Sequence, residues 1–372
     1  MRIVFTGGGS GGHFFPIIAV IRELKRIAEE ERIIDCELFY LGPDTFGKDL
    51  LREEGITTIP IESGKIRTYF SFRNVLDVFK TGVSILRALW NIFLIMPDVI
   101  FSKGGYGAFP AVIAAAVFRI PLIIHESDTI PGRVNQFAAR FADRIGITFA
   151  SSAEFFPKEK TALIGFPIRT RILGAPTEEA KEAFDIFSDR PVVGCIGASQ
   201  GSEKLNDAIL EILKELTDEF EVVHQTGTAS FKTAKEEGGV VVEFGHKERY
   251  HPIAFLDESG IRNFYAVSTI IVSRAGASSI FEIAAWGKPS ILIPLAIAAQ
   301  DHQRKNAYEY ATTGAAVVIE ESNLTPHILL AEIKKLMADT EKRNNMSQAA
   351  QRFARIDGAE LIAREILKLG VH

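Results

Sequence analysis

Gly7-Gly8-Gly9-Ser10-Gly11-Gly12-His13-Phe14-Phe15-Pro16 follows the apolar run Ile3-Val4-Phe5 at the beginning of the chain. Behind it Ile17, Val20, Ile21, Leu24 and Ile27 recur on one helical face, so the stretch reads as strand, glycine-rich turn and helix. Three meanings of the turn compete. Gly7-x-Gly9-x-x-Gly12 has the spacing of a dinucleotide fingerprint, and Gly8-x-Ser10-x-Gly12 that of a hydrolase nucleophile elbow. The third needs no special residue, because main-chain N–H groups and the dipole at a helix start bind phosphate or another anion unaided. The fingerprint also requires a carboxylate closing the second strand. That strand ends Phe39-Tyr40-Leu41-Gly42 and Asp44 comes too late, which weighs against a dinucleotide.

The same unit returns in the second half. Pro191-Val192-Val193-Gly194-Cys195-Ile196 runs into Gly197-Ala198-Ser199-Gln200-Gly201, again an elbow spacing. Asp257 or Asp301, followed by His302 or His327, would complete a serine hydrolase built on Ser10 or Ser199, so that class stays open. Two glycine turns can equally hold one ligand from both sides.

Around these turns the pattern is regular. Arg2–Phe5, Cys36–Leu41, Thr57–Ile61, Asp98–Phe101, Leu122–Ile124 and Ile145–Thr148 read as buried parallel strands separated by helices. Val240–Phe244, Thr269–Val272, Ser290–Ile293 and Ala315–Ile319 continue the second set. The expected architecture is α/β, two Rossmann-like domains in tandem with an interdomain cleft. Residues 1–164 form the first, 165–190 a Pro- and Gly-bearing linker and 191–357 the second, and a terminal helix within 358–372 returns to the first.

With 372 residues, 47% of them hydrophobic, the chain can build two cores. A net charge of −5 offers no basic field, which argues against nucleic acid as a partner. Cys36 and Cys195 stand far apart without a ligand cluster, against both a disulfide framework and a metal centre. No basic segment followed by an apolar one opens the chain, so export is not expected, and Ala88–Met96 is too short to span a bilayer.

Further clusters fall at strand ends. Arg274-Ala275-Gly276-Ala277-Ser278-Ser279 opens a helix whose small residues leave N–H donors exposed for a diphosphate or a sugar. Glu282 lies about two turns into that helix, where a carboxylate can accept both hydroxyls of a ribose. Gln303 and Asn306 follow the next strand, and amides suit sugar hydroxyls because they both donate and accept. Arg169 beside Pro167 could pair with phosphate. Ser102-Lys103-Gly104-Gly105-Tyr106-Gly107 and His125-Glu126-Ser127-Asp128 end first-domain strands on the side of His13. Neither an Asp-x-Asp pair nor a Walker lysine motif occurs.

GGGSGGH, SKGGY, HESD-x-x-PG, GFPIR, GASQG, HQTG, the RAGASS…E helix and DHQ-x-x-NA stand in the order found in MurG-type glycosyltransferases. The chain resembles that family from Gly7 to Asn306. The resemblance implies a GT-B fold and transfer of N-acetylglucosamine from its UDP donor to an undecaprenyl-diphosphate-linked N-acetylmuramyl-pentapeptide, with no cofactor. A diacylglycerol glycosyltransferase or a non-catalytic nucleotide-sugar binding protein would share much of the pattern. By the same resemblance Ser199 and Arg169 contact the diphosphate, and Leu256 packs against uracil. Glu282 takes the ribose. Ala277, Ser278 and Ser279 cap phosphates or sugar, and Gln303 with Asn306 reads the sugar. Ser10, Gly11 and Gly12 face the acceptor diphosphate, and His13 is the leading general base, with Tyr106 and Glu126 near it. The family usually has Gln and Asn where this chain has Ser127 and Asp128, so either the donor contacts differ or Asp128 shares or takes over proton removal. Inverting, metal-independent displacement is the implied chemistry.

A lipid-linked acceptor implies peripheral contact at the cytoplasmic face of the cell membrane. Lys65, Arg67, Arg73, Lys80 and Arg87 alternate with Tyr69, Phe70, Phe72, Leu76 and Trp90, which suits anionic headgroups. Val75, Phe79, Gly82, Leu86, Leu89 and Phe93 have helical spacing and are expected in the core.

Overall fold

The computed structural model describes residues 1–8, 11–32, 36–43, 47–62, 64, 72–197, 201–242 and 246–370, and of residues 72–78 the backbone only. The chain divides into two compact units, Met1–Arg169 with Arg355–His372, and Thr170–Ala354.

The first unit is built on seven strands: β1 (Arg2–Thr6), β2 (Glu37–Gly42), β3 (Thr57–Pro60), β4 (Val99–Ser102), β5 (Leu122–Glu126), β6 (Arg144–Ile147) and β7 (Thr161–Leu163). Their order is β3-β2-β1-β4-β5-β6-β7, and every pairing is parallel, with Ile3 opposite both Leu38 and Val99. Parallel strands are covered on both faces, which is why Ile3, Val4 and Phe5 are all fully buried. On one face lie the helix Gly11–Glu30 and the terminal helix Gly358–Gly370, whose Ile362, Ile366 and Leu367 join Ile17, Ile21 and Leu24 in one core. Burial of each such side chain is worth about 1.5–3 kcal/mol. The other face carries the helices Phe72–Ile95 and Phe109–Phe118.

The second unit repeats the scheme with β8 (Val192–Ile196), β9 (Glu221–Gln225), β10 (Tyr250–Ile253), β11 (Ile270–Ser273), β12 (Ser290–Leu292) and β13 (Ala316–Val318). The order is β10-β9-β8-β11-β12-β13, again all parallel. Each sheet therefore reverses its winding once, between β1 and β4 and between β8 and β11. Open α/β sheets place their ligand crevice at such a point, beyond the strand carboxyl ends.

Two expectations are corrected. Val240 and Val241 end the helix Phe231–Val241 and do not begin a strand. That helix is held by its small residues, since Gly238 lies so close to the Tyr250 ring that a Cβ would sit 2.4 Å from it, while both valines face solvent. β9 and β10 supply the outer strands instead. β9 hides in the sequence because its polar residues are internal. His224 is fully buried between the Asn206 Oδ1 (3.0 Å) and the Tyr250 hydroxyl (3.1 Å). Burial holds its pKa down to about 3, so it is neutral.

The segment 165–190 packs through apolar side chains. Ile172, Ala180, Phe184 and Ile186 are buried, and the Trp286 indole N–H donates to the Ile172 carbonyl at 3.0 Å.

The helix Phe72–Ile95 is turned opposite to expectation. Thr81, Ser84, Ala88 and Ile92 face inward, whereas Phe79 (73% exposed), Leu86 (67%) and Phe93 (53%) face out. The inward face is small and polar enough to lie close to the Ala-rich helix Phe109–Phe118, and the Ser84 hydroxyl is satisfied by the Lys80 and Glu62 carbonyls.

Candidate functional site

In the first unit the crevice between β1 and β4 is floored by glycine. Gly104 (φ 83°) and Gly105 (φ 78°) are both left-handed, which lets the loop after β4 press onto the opening turn. A Cβ at Gly105 would lie 2.9 Å from the Gly8 carbonyl and 3.3 Å from both Cδ2 and Nε2 of His13. His13 is thus a half-buried residue in the first turn of the helix Gly11–Glu30, its ring edge against this loop. Gly11 and Gly12 are the first two residues of the same helix, so their N–H groups are among those that find no partner within it. Tyr106 begins a short 3-10 turn, Tyr106–Ala108, near Tyr40, whose hydroxyl donates to the Gly7 carbonyl at 2.8 Å.

Glu126 closes β5 and is buried. Its Oε1 accepts from the backbone N–H of Ser127 (2.8 Å) and Asp128 (3.0 Å), and its Oε2 from Gly132 N–H (3.0 Å) and Asn135 Nδ2 (2.9 Å). Burial and the nearby Asp128 carboxylate push its pKa up, while these donors pull it down. With both oxygens accepting hydrogen bonds, Glu126 anchors the turn that carries Asp128. His125, before it, is fully buried, and burial holds it well below the ordinary range. Its neutral ring therefore donates from Nε2 to the Gly165 carbonyl at 2.9 Å. Arg169 ends this unit, with its guanidinium 4.0 Å above the centre of the Phe15 ring, two residues along the helix from His13.

In the second unit the corresponding crevice lies between β8 and β11. Gly201 (φ 78°) admits no side chain, since a Cβ would fall 2.2 Å from the Thr226 carbonyl oxygen. The helix Ala277–Ala285 starts after β11 with Gly276 as its cap residue and no side-chain cap, so the N–H groups of Ala277, Ser278 and Ser279 have no intrahelical acceptor. Glu282 follows on the same helix, half-buried, with its Oε2 accepting from the Tyr265 hydroxyl at 3.2 Å. Leu256 sits just before the helix Glu258–Val267, packed on Gly260, and Asp257 caps that helix through Gly260 N–H at 2.7 Å. Gln303 uses its Oε1 to accept from Leu295 N–H at 3.0 Å. Asn306 is fully buried and donates to the Ala275 carbonyl at 3.4 Å, so it ties the helix His302–Ala311 to the loop after β11. Ser10 and Ser199 lie outside the described residues.

Residues 3–147 match the model of the glycosyltransferase family 28 N-terminal domain and residues 192–362 that of its C-terminal domain. The chain is 34% identical over 342 residues to the UDP-N-acetylglucosamine–N-acetylmuramyl-(pentapeptide) pyrophosphoryl-undecaprenol N-acetylglucosamine transferase of Clostridium tetani, spanning 92% of this chain and 91% of the relative. The transferase of the same name from Lachnospira eligens is 36% identical over 340 residues, 91% of each chain. The chain belongs to glycosyltransferase family 28. Among solved structures it is similar in fold to Acinetobacter baumannii MurG, with a TM-score of 0.75, 24% identity and 99% of both chains covered.

For a family 28 glycosyltransferase the hydrolase reading loses its support. Asp257 is engaged as a helix cap, Asp301 is paired with Arg304 (2.5 Å), and His302 bonds the Ala299 carbonyl (2.6 Å). Neither aspartate holds a histidine, as a triad requires. Some supporting contacts carried no signal in the sequence. Asn135 bonds both Glu126 and the His125 carbonyl, and Arg274 forms a buried pair with Glu321, 47 residues away. Lys103 stood in a quoted motif without a role assigned.

Proposed function

We infer that this chain transfers N-acetylglucosamine from UDP-N-acetylglucosamine to the lipid-diphosphate-linked N-acetylmuramyl-pentapeptide of peptidoglycan synthesis, by inverting displacement without a metal ion. The carrying observation is the match of both halves to family 28, together with two switch-point crevices built on glycine turns and helix N-termini. In this reading the second unit holds the donor. Glu282 accepts the ribose hydroxyls beside Tyr265, the start of the helix Ala277–Ala285 faces phosphate or sugar, and the Gln303 amide donates to the sugar. The first unit holds the acceptor, with its diphosphate at Gly11 and Gly12. His13 removes the proton of the attacking hydroxyl as the C–O bond forms and UDP departs. Arg169 and N–H dipoles neutralise the leaving diphosphate.

Radiolabelled UDP-N-acetylglucosamine and the lipid-linked acceptor are expected to yield a β-linked disaccharide product from the α-linked donor, undiminished by excess EDTA. Retention of the α configuration would refute the displacement. Loss of activity with EDTA that magnesium restores would refute metal independence.

No helix among the described residues is long and apolar enough to cross a membrane. We place the enzyme peripherally, at the cytoplasmic face, through the outward side of the helix Phe72–Ile95. Trp90 and Phe93 approach at 6.5 Å and Phe93 and Phe118 at 6.2 Å between ring centroids. Leu86, Leu94, Met96 and Val117 extend this exposed apolar patch, and Lys80, Arg87 and Arg119 are exposed on the same elements. Large exposed apolar patches mark interaction surfaces, and basic residues beside them suit an anionic bilayer. The triple variant F79S/W90S/F93S is expected to lose about tenfold or more in sedimentation with phosphatidylglycerol vesicles. Undiminished sedimentation would remove this surface from the reading.

A further inference from the structure

Lys103 follows β4 and is 1% exposed. Its backbone N–H donates to the Thr6 carbonyl at 2.8 Å, which ties it to the strand that feeds the glycine turn. Its ammonium donates to the Ser127 hydroxyl and lies 5.5 Å from the centre of the Phe166 ring. An ammonium taken out of water is costly unless opposite charge compensates it. Here the compensation comes from Glu126 and Asp128, both of which favour its charge. The third titratable group acting with it is His125, which is neutral and whose protonation Lys103 opposes. Glu126 is already anchored by four N–H donors. Asp128 is the second carboxylate that favours the Lys103 charge.

We propose that Lys103 is a positioning residue for the transfer reaction, its ammonium holding Ser127 and offsetting the charge of Asp128 so that the turn after β5 is fixed against β4. Removing the cation leaves the buried Glu126 carboxyl beside the Asp128 charge with no opposing ammonium, and the turn shifts. Removing the Asp128 charge as well abolishes that conflict. The two substitutions must therefore be non-additive.

Burial brings the Lys103 pKa down to about 8. The ammonium is complete below that pH, so activity is expected to fall as pH rises through about 8. Folding responds with the opposite sign. The unfolded lysine titrates near 10.5 and binds more protons than the folded one, so the contribution of this group to stability rises between these values. A merely structural lysine would not make activity fall while its contribution to stability rises.

The proposal rests on the transfer reaction, and an inactive wild-type protein would defeat that reading first. With wild type active, K103M is expected to lose about tenfold or more in kcat/KM, and K103M/D128N to stand within about threefold of D128N. K103R is expected to move the alkaline limb upward. Wild-type activity in K103M, an equal loss from K103M in both backgrounds, or an alkaline limb unmoved in K103R would each overturn it. If K103M does not fold, the comparison of K103M/D128N with D128N decides: within threefold supports the charge pair, and a greater loss refutes it.

Discussion

H13A is expected to lower turnover by about 10²- to 10⁴-fold, the contribution of a general base, while UDP-N-acetylglucosamine still binds. The geometry separates the two effects. His13 lies in the first unit, in the first turn of the helix Gly11–Glu30 and against Gly105, whereas Glu282 and the helix Ala277–Ala285 belong to the second. Loss of an imidazole from one unit should leave the nucleotide contacts of the other intact, so kcat falls and donor Kd, measured by calorimetry, holds within about twofold. Asp128 is the rival base, a carboxylate on the same turn after β5 as Glu126. With His13 as the base, D128N should cost far less than H13A. If D128N instead costs the larger factor, the base is Asp128 and His13 is displaced from the mechanism. Equal and small losses would remove both.

The strands were legible where chemistry and burial agree. β1, β4, β8 and β11 are β-branched runs buried on both faces, and a run such as Ile3-Val4-Phe5 has no other stable use. The glycine turns were legible because left-handed backbone at Gly104, Gly105 and Gly201 leaves little choice of residue. β9 was not, because a strand carrying Glu221, His224 and Gln225 is stable only with partners supplied from distant segments. Glu221 is met by Ser188 at 2.6 Å and by His251 at 3.0 Å, and no local pattern announces either. The phase of the helix Phe72–Ile95 failed for a related reason. Periodicity finds two faces, but which face is buried depends on the neighbour, here an alanine-rich helix that admits Ser84 and Ala88 more closely than phenylalanine. Candidate site residues were sought at strand ends because an open α/β sheet gathers its ligand groups there. The residues that hold them in place were mostly missed, since a hydrogen bond such as that from Asn135 to Glu126 leaves no trace in spacing.

The same distinction gives the second large effect. R274M is expected to destabilise the second unit by about 3–5 kcal/mol, the cost of stranding one partner of a buried ion pair. Arg274 follows β11 and reaches the loops after three other strands. It donates to Ser202 Oγ (2.9 and 2.6 Å), to the Ile293 carbonyl (3.2 Å) and to Glu321 Oε1 (2.6 Å), and Glu321 Oε2 accepts from Ala296 N–H at 3.2 Å. Both side chains are 5% exposed or less. Burial alone would raise the Glu321 pKa, but the hydrogen bonds from Arg274 and Ala296 hold it below the ordinary carboxylate range. Such a depressed carboxyl contributes stability that is present above its unfolded pKa and is lost as pH falls through the folded one. In R274M Glu321 keeps only the Ala296 N–H and the Lys204 ammonium at 3.7 Å, so burial weighs more, its pKa rises and it costs most when ionised. The gap between wild type and R274M in urea unfolding should thus be widest near pH 7 and shrink toward about pH 4. R274M/E321M, which removes both charges, should recover about 2 kcal/mol or more at pH 7. If the gap is independent of pH, or the double variant is no more stable than R274M, the pair does not brace these loops electrostatically, and Arg274 acts through packing alone.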